Sequence, residues 1–456
     1  MKPTETDVSE ALDSSDVPAP TPIATSGDES TWHSTLRAMR HRNYRLFLLG
    51  QFISLIGTWM ESTAVNWLVS RLTRTSPYAS SWLGMINFVG LFPAFVLAPF
   101  GGSLADMRSR RGILVATQSS AMVLSFILAA LTLVGHVQLW HVFLIGGLLG
   151  VVNGFDIPTR QSFLIEMVGR EDLMNAIALN SSMFNGARII GPAIAAVAIH
   201  RLGEGWCFAF NGLSFLAVII CLITMRLIAP ERGPSRGRSA FDHLTEGFRF
   251  AVSCPPIRAL LLLVGLLSLM GMPYTVLMPT FANTVLKGDE RTYGLLLIAT
   301  GLGAMLGAFS LTMRQGVLGL GRWIVMASIG FGIVVMVFAS SRNVWLSCAA
   351  LIPAGFGLMV GMGASNTLIQ SMVPDHLRGR ISALFAMMFM GMSPFGGLLS
   401  GWLADLIGAP WTVCLNGLVV ILGGVVFGLH LPSLREQGRQ LLEDQGAAHA
   451  RPAGES

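Results

Sequence analysis

GGSLADMRSRR, residues 101–111, sets an apolar, small-residue helix end against one Asp and then three Arg within four positions. On either side, residues 82–100 and 113–134 are each apolar over about 20 residues, the length that crosses a ~30 Å hydrocarbon layer. The stretch therefore reads as a tight polar hinge between two membrane spans. Its Arg excess places the hinge on the cytoplasmic side.

Outward from the hinge the same grammar repeats. Only 12% of the 456 residues are charged and 52% are hydrophobic, against roughly 25% charged in an ordinary soluble domain. Apolar runs of span length recur along nearly the whole chain, which excludes a soluble protein. A β-barrel is excluded as well, because its strands would alternate in short segments. The formal net charge of +5 is spread as Arg over short loops, an orientation signal and not a nucleic-acid footprint. Five Cys form no CxxC and no Cys/His cluster, so they read as small buried hydrophobes, and no cofactor or metal is expected.

Twelve spans are expected: 46–71, 80–104, 113–134, 139–163, 176–200, 206–228, 258–285, 293–314, 322–341, 344–370, 381–405 and 410–431. They divide the chain into a disordered cytoplasmic tail (1–40), a six-helix half (41–228), a cytoplasmic linker with an amphipathic helix (229–257), a second six-helix half (258–431) and a C-terminal tail (432–456). The tail has no basic start and apolar core of a signal peptide, and the linker contains Pro230, Gly233 and Pro234 before its amphipathic piece. Loops assigned inside carry 20 Arg, against 6 Arg and Lys outside, which puts both termini in the cytoplasm. Trp67, Trp82, Trp140, Trp206, Trp345 and Trp411 then fall at outer span ends, as an aromatic belt would. A shift of 205 positions overlays Trp206 on Trp411, Asn211-Gly212-Leu213 on Asn416-Gly417-Leu418, Gly186 on Gly391 and Gly191 on Gly396. Such internal repeats bracket midplane sites in secondary transporters.

With hinge, span count and repeat in place, the chain resembles the major facilitator superfamily, and within it the branch of enterobactin-type siderophore exporters and macrolide efflux proteins. The resemblance rests on 42–60 (RNYRLFLLGQFISLIGTWM), the hinge, 155–195 (FDIPTRQSFLIEMVGREDLMNAIALNSSMFNGARIIGPAIA) and 370–384 (QSMVPDHLRGRISAL). It implies an all-α fold of two pseudo-symmetric six-helix halves that works by alternating access. It implies a gating loop of Gly102, Asp106, Arg110 and Arg111, with Asp106 bracing the start of the eleventh span near Arg380–Ser382. Arg110 is then expected to pair with Asp156; Asp156 and Arg160, which flank Pro158 at the inner end of the fourth span, read either as members of this gating network or as cytoplasmic rim charges. Met107 and Ser109 depart from the usual loop. GARIIGPAIAA in the fifth span is similar to the exporters' antiporter motif, in which a Gly-Pro kink, here Gly191 and Pro192, seals helix against helix; Ala195-Ala196 replaces the usual Gly pair, and a plain kink packed by small residues is the alternative.

Two ionisable residues lie deep inside spans, Glu61 and Arg188. At about 1.5 Å per residue they sit about 22 Å and 18 Å from the inner starts of their spans, so they can share a depth within one half. A charge at mid-bilayer costs at least ~2.5 kcal/mol and usually faces a partner or a water-filled cavity. Glu61 is thus expected to take and release a proton, and Arg188 to tune it or to meet an anionic substrate; a static buried ion pair is the structural alternative. Asn66, Tyr274, Asn366 and Gln370 complete the expected polar lining of the cavity, with Met-rich stretches around the last three.

These readings describe a multi-pass transporter of the inner or plasma membrane, acting as a monomer on protons and a small molecule within the lipid bilayer. Proton-coupled export of a siderophore or drug-like compound is the leading expectation. Import of a small metabolite on the same fold is the alternative. An intramembrane lipid-modifying enzyme would need convergent His, Asp, Glu or Ser groups at membrane depth, and the nine His lie mostly at span ends, in loops or in the tails. No Walker-type G-x-x-x-x-G-K-[ST] loop is present for an ATP-driven pump.

Overall fold

A computed structural model of the chain describes residues 37–169, 171–225, 240–314, 316 and 319–450. The acidic tail (1–36) and the Pro/Gly part of the linker, including Pro230, Gly233 and Pro234, lie outside the described residues.

Long helices follow one another with short turns: α1 (Arg42–Leu72), α2 (Ala79–Met107), α3 (Arg110–Leu133), α4 (Leu139–Val168), α5 (Leu173–Leu202) and α6 (Glu204–Thr224). The amphipathic α7 (Ala240–Ser253) comes next. The second set is α8 (Pro255–Val285), α9 (Glu290–Thr312), α10 (Leu320–Ser340), α11 (Val344–Met372), α12 (Asp375–Ile407) and α13 (Ala409–Ala450). Eleven of these are long and apolar enough to cross a membrane among the described residues. The twelfth, α1, has the length but carries Arg42, Arg45, Gln51, Glu61 and Asn66 on one 31-residue helix.

The turns show why the hinges read as they do. Ser109 caps α3, its side chain accepting from the Gly112 N–H at 3.3 Å, so the departure from the usual loop still supplies an N-cap. In α8, Pro273 and Pro279 withhold backbone donors, and the helix loosens into π-turns at Leu267–Gly271 and Phe281–Val285. The last helix runs on to Ala450, so residues 432–450 are helical where a tail was expected from 432.

Within the first half, α3 packs on α6 and α2 on α4; within the second, α9 and α10 both pack on α11, and α10 on α13. Across the halves, α2 lies along α12 and α5 along α9. Their contacts gather at the end away from the Arg-rich loops. Trp67 stacks on Tyr293 at 5.8 Å, the Asn283 amide donates to Ser70 Oγ at 2.9 Å, and His200 meets Glu290 at 2.6 Å. Trp67 is therefore a seam residue and not part of an aromatic belt; Trp140, Trp206, Trp345 and Trp411 are the exposed ones of the six. At the basic end Phe100 and Met107 of α2 and Met387 and Met390 of α12 are exposed. The contacts between the halves named here lie at the far end.

Candidate functional site

The 101–111 loop, expected to gate, is tied into its own half. Arg110 donates to Glu166 at 2.7 Å and to the Ser162 carbonyl at 3.4 Å, both on α4. Arg111 donates to the carbonyls of Ile223 (2.5 Å) and Met225 (3.3 Å) at the end of α6, where a cation suits the negative end of the helix. Asp106 is 58% exposed and, among the described residues, reaches only Arg110, at 3.5 Å. Gly102 is open on its Cβ side.

The expected Arg110–Asp156 pair is not what the structure forms. Asp156, 1% exposed, is claimed by its own neighbours: it accepts from Thr117 Oγ1 and Gln118 Nε2 at 2.8 Å each, and from Arg160 one turn along α4. A buried carboxylate bonded by three donors has no need of a cation from the loop. Glu166, which carries no motif of its own in the sequence, takes Arg110. Arg380, near which Asp106 was expected to dock, pairs with Glu246 of α7.

Glu61 and Arg188 also go separate ways. Glu61 is buried between α1, α3 and α6, where one carboxylate oxygen accepts from Ser125 Oγ at 2.7 Å and from the Asn211 amide. Its other oxygen is buried without a hydrogen-bond partner. Ser214 Oγ, 2.9 Å from Asn211 Oδ1, turns that amide so its N–H₂ faces Glu61. The approach depends on Gly57, where a Cβ would stand 2.5 Å from Ser214 Oγ. Among the described residues no cation pairs with Glu61.

Arg188 instead meets Trp59. Its guanidinium carbon lies 5.8 Å from the centroid of the Trp59 ring on α1. Tyr274 of α8 packs edge-on against Phe331, with its hydroxyl buried. One turn beyond Arg188, Gly191 lets α5 press on α1: a Cβ there would meet Ile56 O at 2.9 Å. Pro192 sits in a helix that stays continuous from Leu173 to Leu202.

The other expected lining residues do not join this cluster. Asn66 accepts from Asn87 Nδ2 at 2.9 Å between α1 and α2. Gln370 donates to Ser382 Oγ at 2.6 Å between α11 and α12, and Asn366 is half-buried one turn before it. Ser125 and Trp59 were missed because a Ser and a Trp in apolar helices carry no local signal. Asn211 did carry one, a polar residue at the same repeat position as Asn416.

Twelve long helices in two related halves are the architecture of a transporter of the major facilitator type. The chain belongs to the family described as "Transmembrane secretion effector", which matches residues 33–445. It is 24% identical over 386 residues to a staphyloferrin A transporter of Staphylococcus aureus (84% of this chain, 95% of that one). It is 24% identical over 418 residues to the enterobactin exporter EntS of Salmonella paratyphi A (90% and 97%). To the multidrug efflux pump Tap of Mycolicibacterium fortuitum it is 25% identical over 400 residues (86% and 96%). Among solved structures, the fold is similar to a bacterial homolog of the human lysosomal transporter Spinster, inward-facing and occupied (TM-score 0.67, 12% identity, 87% of this chain and 98% of that one). It is similar also to the nucleoside transporter NupG (TM-score 0.59, 12% identity, 83% and 99%).

Proposed function

We propose that this protein is a proton-coupled exporter that moves a small organic molecule, a siderophore or a drug-like compound, by alternating access. The observation that carries the proposal is Glu61: a carboxylate at membrane depth, held by two neutral donors, with one oxygen unpartnered and no cation beside it among the described residues. An ionised carboxylate there is costly unless something compensates it, and a proton on the free oxygen would do so. Protonation and deprotonation of this group then change how firmly α1 is held to α3 and α6, and α1 also reaches the seam through Trp67. One proton moving down ~100 mV supplies about 2.3 kcal/mol, equivalent to a shift of about fifty-fold between two states.

The Arg distribution supports an orientation with both termini cytoplasmic, so that the basic end faces the cytoplasm. In the state closed at that end Asp106 would reach the N-terminal end of α12, where a carboxylate is favoured by up to ~1 kcal/mol. The curated relatives named for siderophore transport, siderophore export and drug efflux support export of such cargo.

The test uses purified protein in liposomes with basic ends outward and an acid lumen, supplied with enterobactin, staphyloferrin A or a fluorescent macrolide. Uptake driven by the gradient in the wild type and lost in Glu61→Gln is the expected result. Undiminished gradient-driven uptake in the variant returns Glu61 to a structural role, and uptake of all three indifferent to the gradient sinks the antiport reading.

A further inference from the structure

We infer that the far end of the second half carries a site for one phospholipid of net negative charge. Its phosphodiester is held by Lys287 and Arg342, and an acyl chain lies in the groove beside α10. The site needs neither the cargo nor the coupling proposed above.

The headgroup end is a cleft of about 570 Å³, lined by Thr284, Val285, Leu286, Lys287 and Arg342. That volume falls in the ~300–1,000 Å³ range of small-ligand sites. The cleft lies where the π-turn that ends α8 comes against the short connection between α10 and α11. Thr284 donates its hydroxyl to the Thr280 carbonyl at 2.5 Å, so the positive groups left to the cleft are Lys287 and Arg342. Both are exposed, and neither has a carboxylate or hydrogen-bond partner among the described residues. The acids nearest Lys287 in the chain are engaged elsewhere. Asp289 accepts from the Arg291 and Thr292 N–H groups at 3.1 and 3.0 Å, and Glu290 meets His200 at 2.6 Å. Two cations that share a cleft without a counter-charge repel each other until an anion joins them. Arg brings forked donors that match two phosphate oxygens, and Lys brings a mobile point charge.

The backbone at Lys287 is a second observation. Its φ is +51°, in the left-handed region that no other non-glycine residue adopts among the described residues. A side chain there is strained relative to glycine, yet this turn places a Lys at the strained position and a Gly after it. Strain of this kind collects at ligand clamps.

The third observation says what carries the anion. A separate apolar groove, also of about 570 Å³, is lined by Ile333, Met336 and Val337 of α10, Leu346 of α11 and Ile421 of α13. Ile333, Met336, Val337 and Ser340, which lines it too, share one face of α10. They extend the groove about 10 Å along the helix, the shape of an acyl chain. Ser341 lines the groove and Arg342 lines the cleft. The apolar and positive parts thus meet at adjacent residues just past the end of a span, the level at which a phospholipid changes from chain to phosphate. A free phosphate would use the cleft and leave the groove unexplained. Asn283, one residue before the cleft, donates across the seam to Ser70 at 2.9 Å, so a bound headgroup steadies the segment that joins the halves.

The experiment places the full-length protein in phosphatidylcholine nanodiscs that carry a small fraction of a lipid with a photoreactive diazirine in its acyl chain. The probe is either phosphatidylglycerol or phosphatidylcholine with the same chains, present in both leaflets. After illumination, adducts are mapped by mass spectrometry. The reference is Leu213, exposed on α6 at a similar distance from that helix's far-end terminus. Relative to Leu213, the phosphatidylglycerol-to-phosphatidylcholine ratio over residues 333–346 is expected to be raised at least about tenfold, since each interfacial cation contributes about fivefold. Lys287→Gln combined with Arg342→Gln should remove the excess. Inorganic phosphate, compared with chloride at equal ionic strength, should leave it unchanged. No excess in the wild type overturns the inference and needs no variant to fold. An unchanged excess in a folded double variant overturns it as well, and an excess that phosphate removes assigns the cleft to a free anion and overturns the lipid.

Discussion

The carboxylate of Asp405, near the end of α12, accepts the backbone N–H of Ser80 at 2.9 Å and, through its second oxygen, that of Ser81 at 2.8 Å. These are first-turn donors of α2 that no residue within the helix can satisfy, so one half caps a helix of the other. The charge is favoured there by the helix dipole, by up to about 1 kcal/mol.

Asp405→Asn should therefore loosen the far-end seam without unfolding either half. A loss of about 1 kcal/mol corresponds to roughly fivefold more time open at that end. With the native cysteines replaced, Ala79→Cys should react about fivefold faster with a membrane-impermeant maleimide when Asp405→Asn is also present. An unchanged labelling rate would show that the cap does not hold the seam.

Two residues of the 101–111 stretch should behave oppositely, although they sit close together in the sequence motif. Arg111 closes the end of α6 through two carbonyls, and hydrogen bonds from a charged group are worth about 1.5–3 kcal/mol. Arg111→Ala should lower the thermal midpoint of the detergent-solubilised protein clearly. Asp106 makes one long, exposed ion pair, of a kind worth about 0–1 kcal/mol, so Asp106→Asn should leave the midpoint nearly unchanged while impairing transport. The reverse order of thermal effects would refute the assignment.

That contrast marks what was legible in the sequence. The span order, the hinge and the repeat follow from hydropathy, Arg placement and spacing, which are properties of the one-dimensional chain. Which charge meets which is decided by helix rotation. Asp156 was expected to take Arg110, yet Thr117 and Gln118 on α3 point at it and Glu166 lies two to three turns further along α4. Glu61 and Arg188 share a half and face different partners for the same reason. Trp67 sits at the depth of an aromatic belt but on the side of α1 that meets α9. Depth was readable; azimuth was not.

Asp289 is the N-cap of α9 and should give the far end a pH signature. Burial alone would raise its pKa, but the Thr292 and Arg291 N–H groups and the Thr292 hydroxyl all favour the carboxylate, and the net direction is down. A group held below its unfolded value stabilises the fold above that value, about 3.9 for Asp, and its contribution fades as pH falls through the folded value. Thermal midpoints compared from pH 3 to 6 should show the wild type ahead of Asp289→Ala at pH 6, with the gap, about 1 kcal/mol for an N-cap, narrowing below pH 4. A gap that is flat across this range would remove the charge from the explanation.

Asn211 and Asn416 occupy the same place in the repeat and have taken different work. Asn416 donates to Ser400 Oγ at 2.9 Å, a neutral pair that ties α13 to α12. Asn211 donates to the Glu61 carboxylate. Removing a donor from a buried charge costs more than removing one from a hydroxyl, and removing both partners of a buried pair can be nearly neutral. Asn211→Ala should therefore cost about 2–3 kcal/mol when Glu61 is present and about 0.5 kcal/mol or less in a Glu61→Leu background. Asn416→Ala should cost about 1 kcal/mol in both backgrounds, since it lies in the other half and shares no partner with Glu61. Denaturation midpoints of the six proteins in one detergent measure all of these at once. If Asn211→Ala keeps its full cost without Glu61, the amide serves packing between α1 and α6 and the carboxylate is held by Ser125 alone.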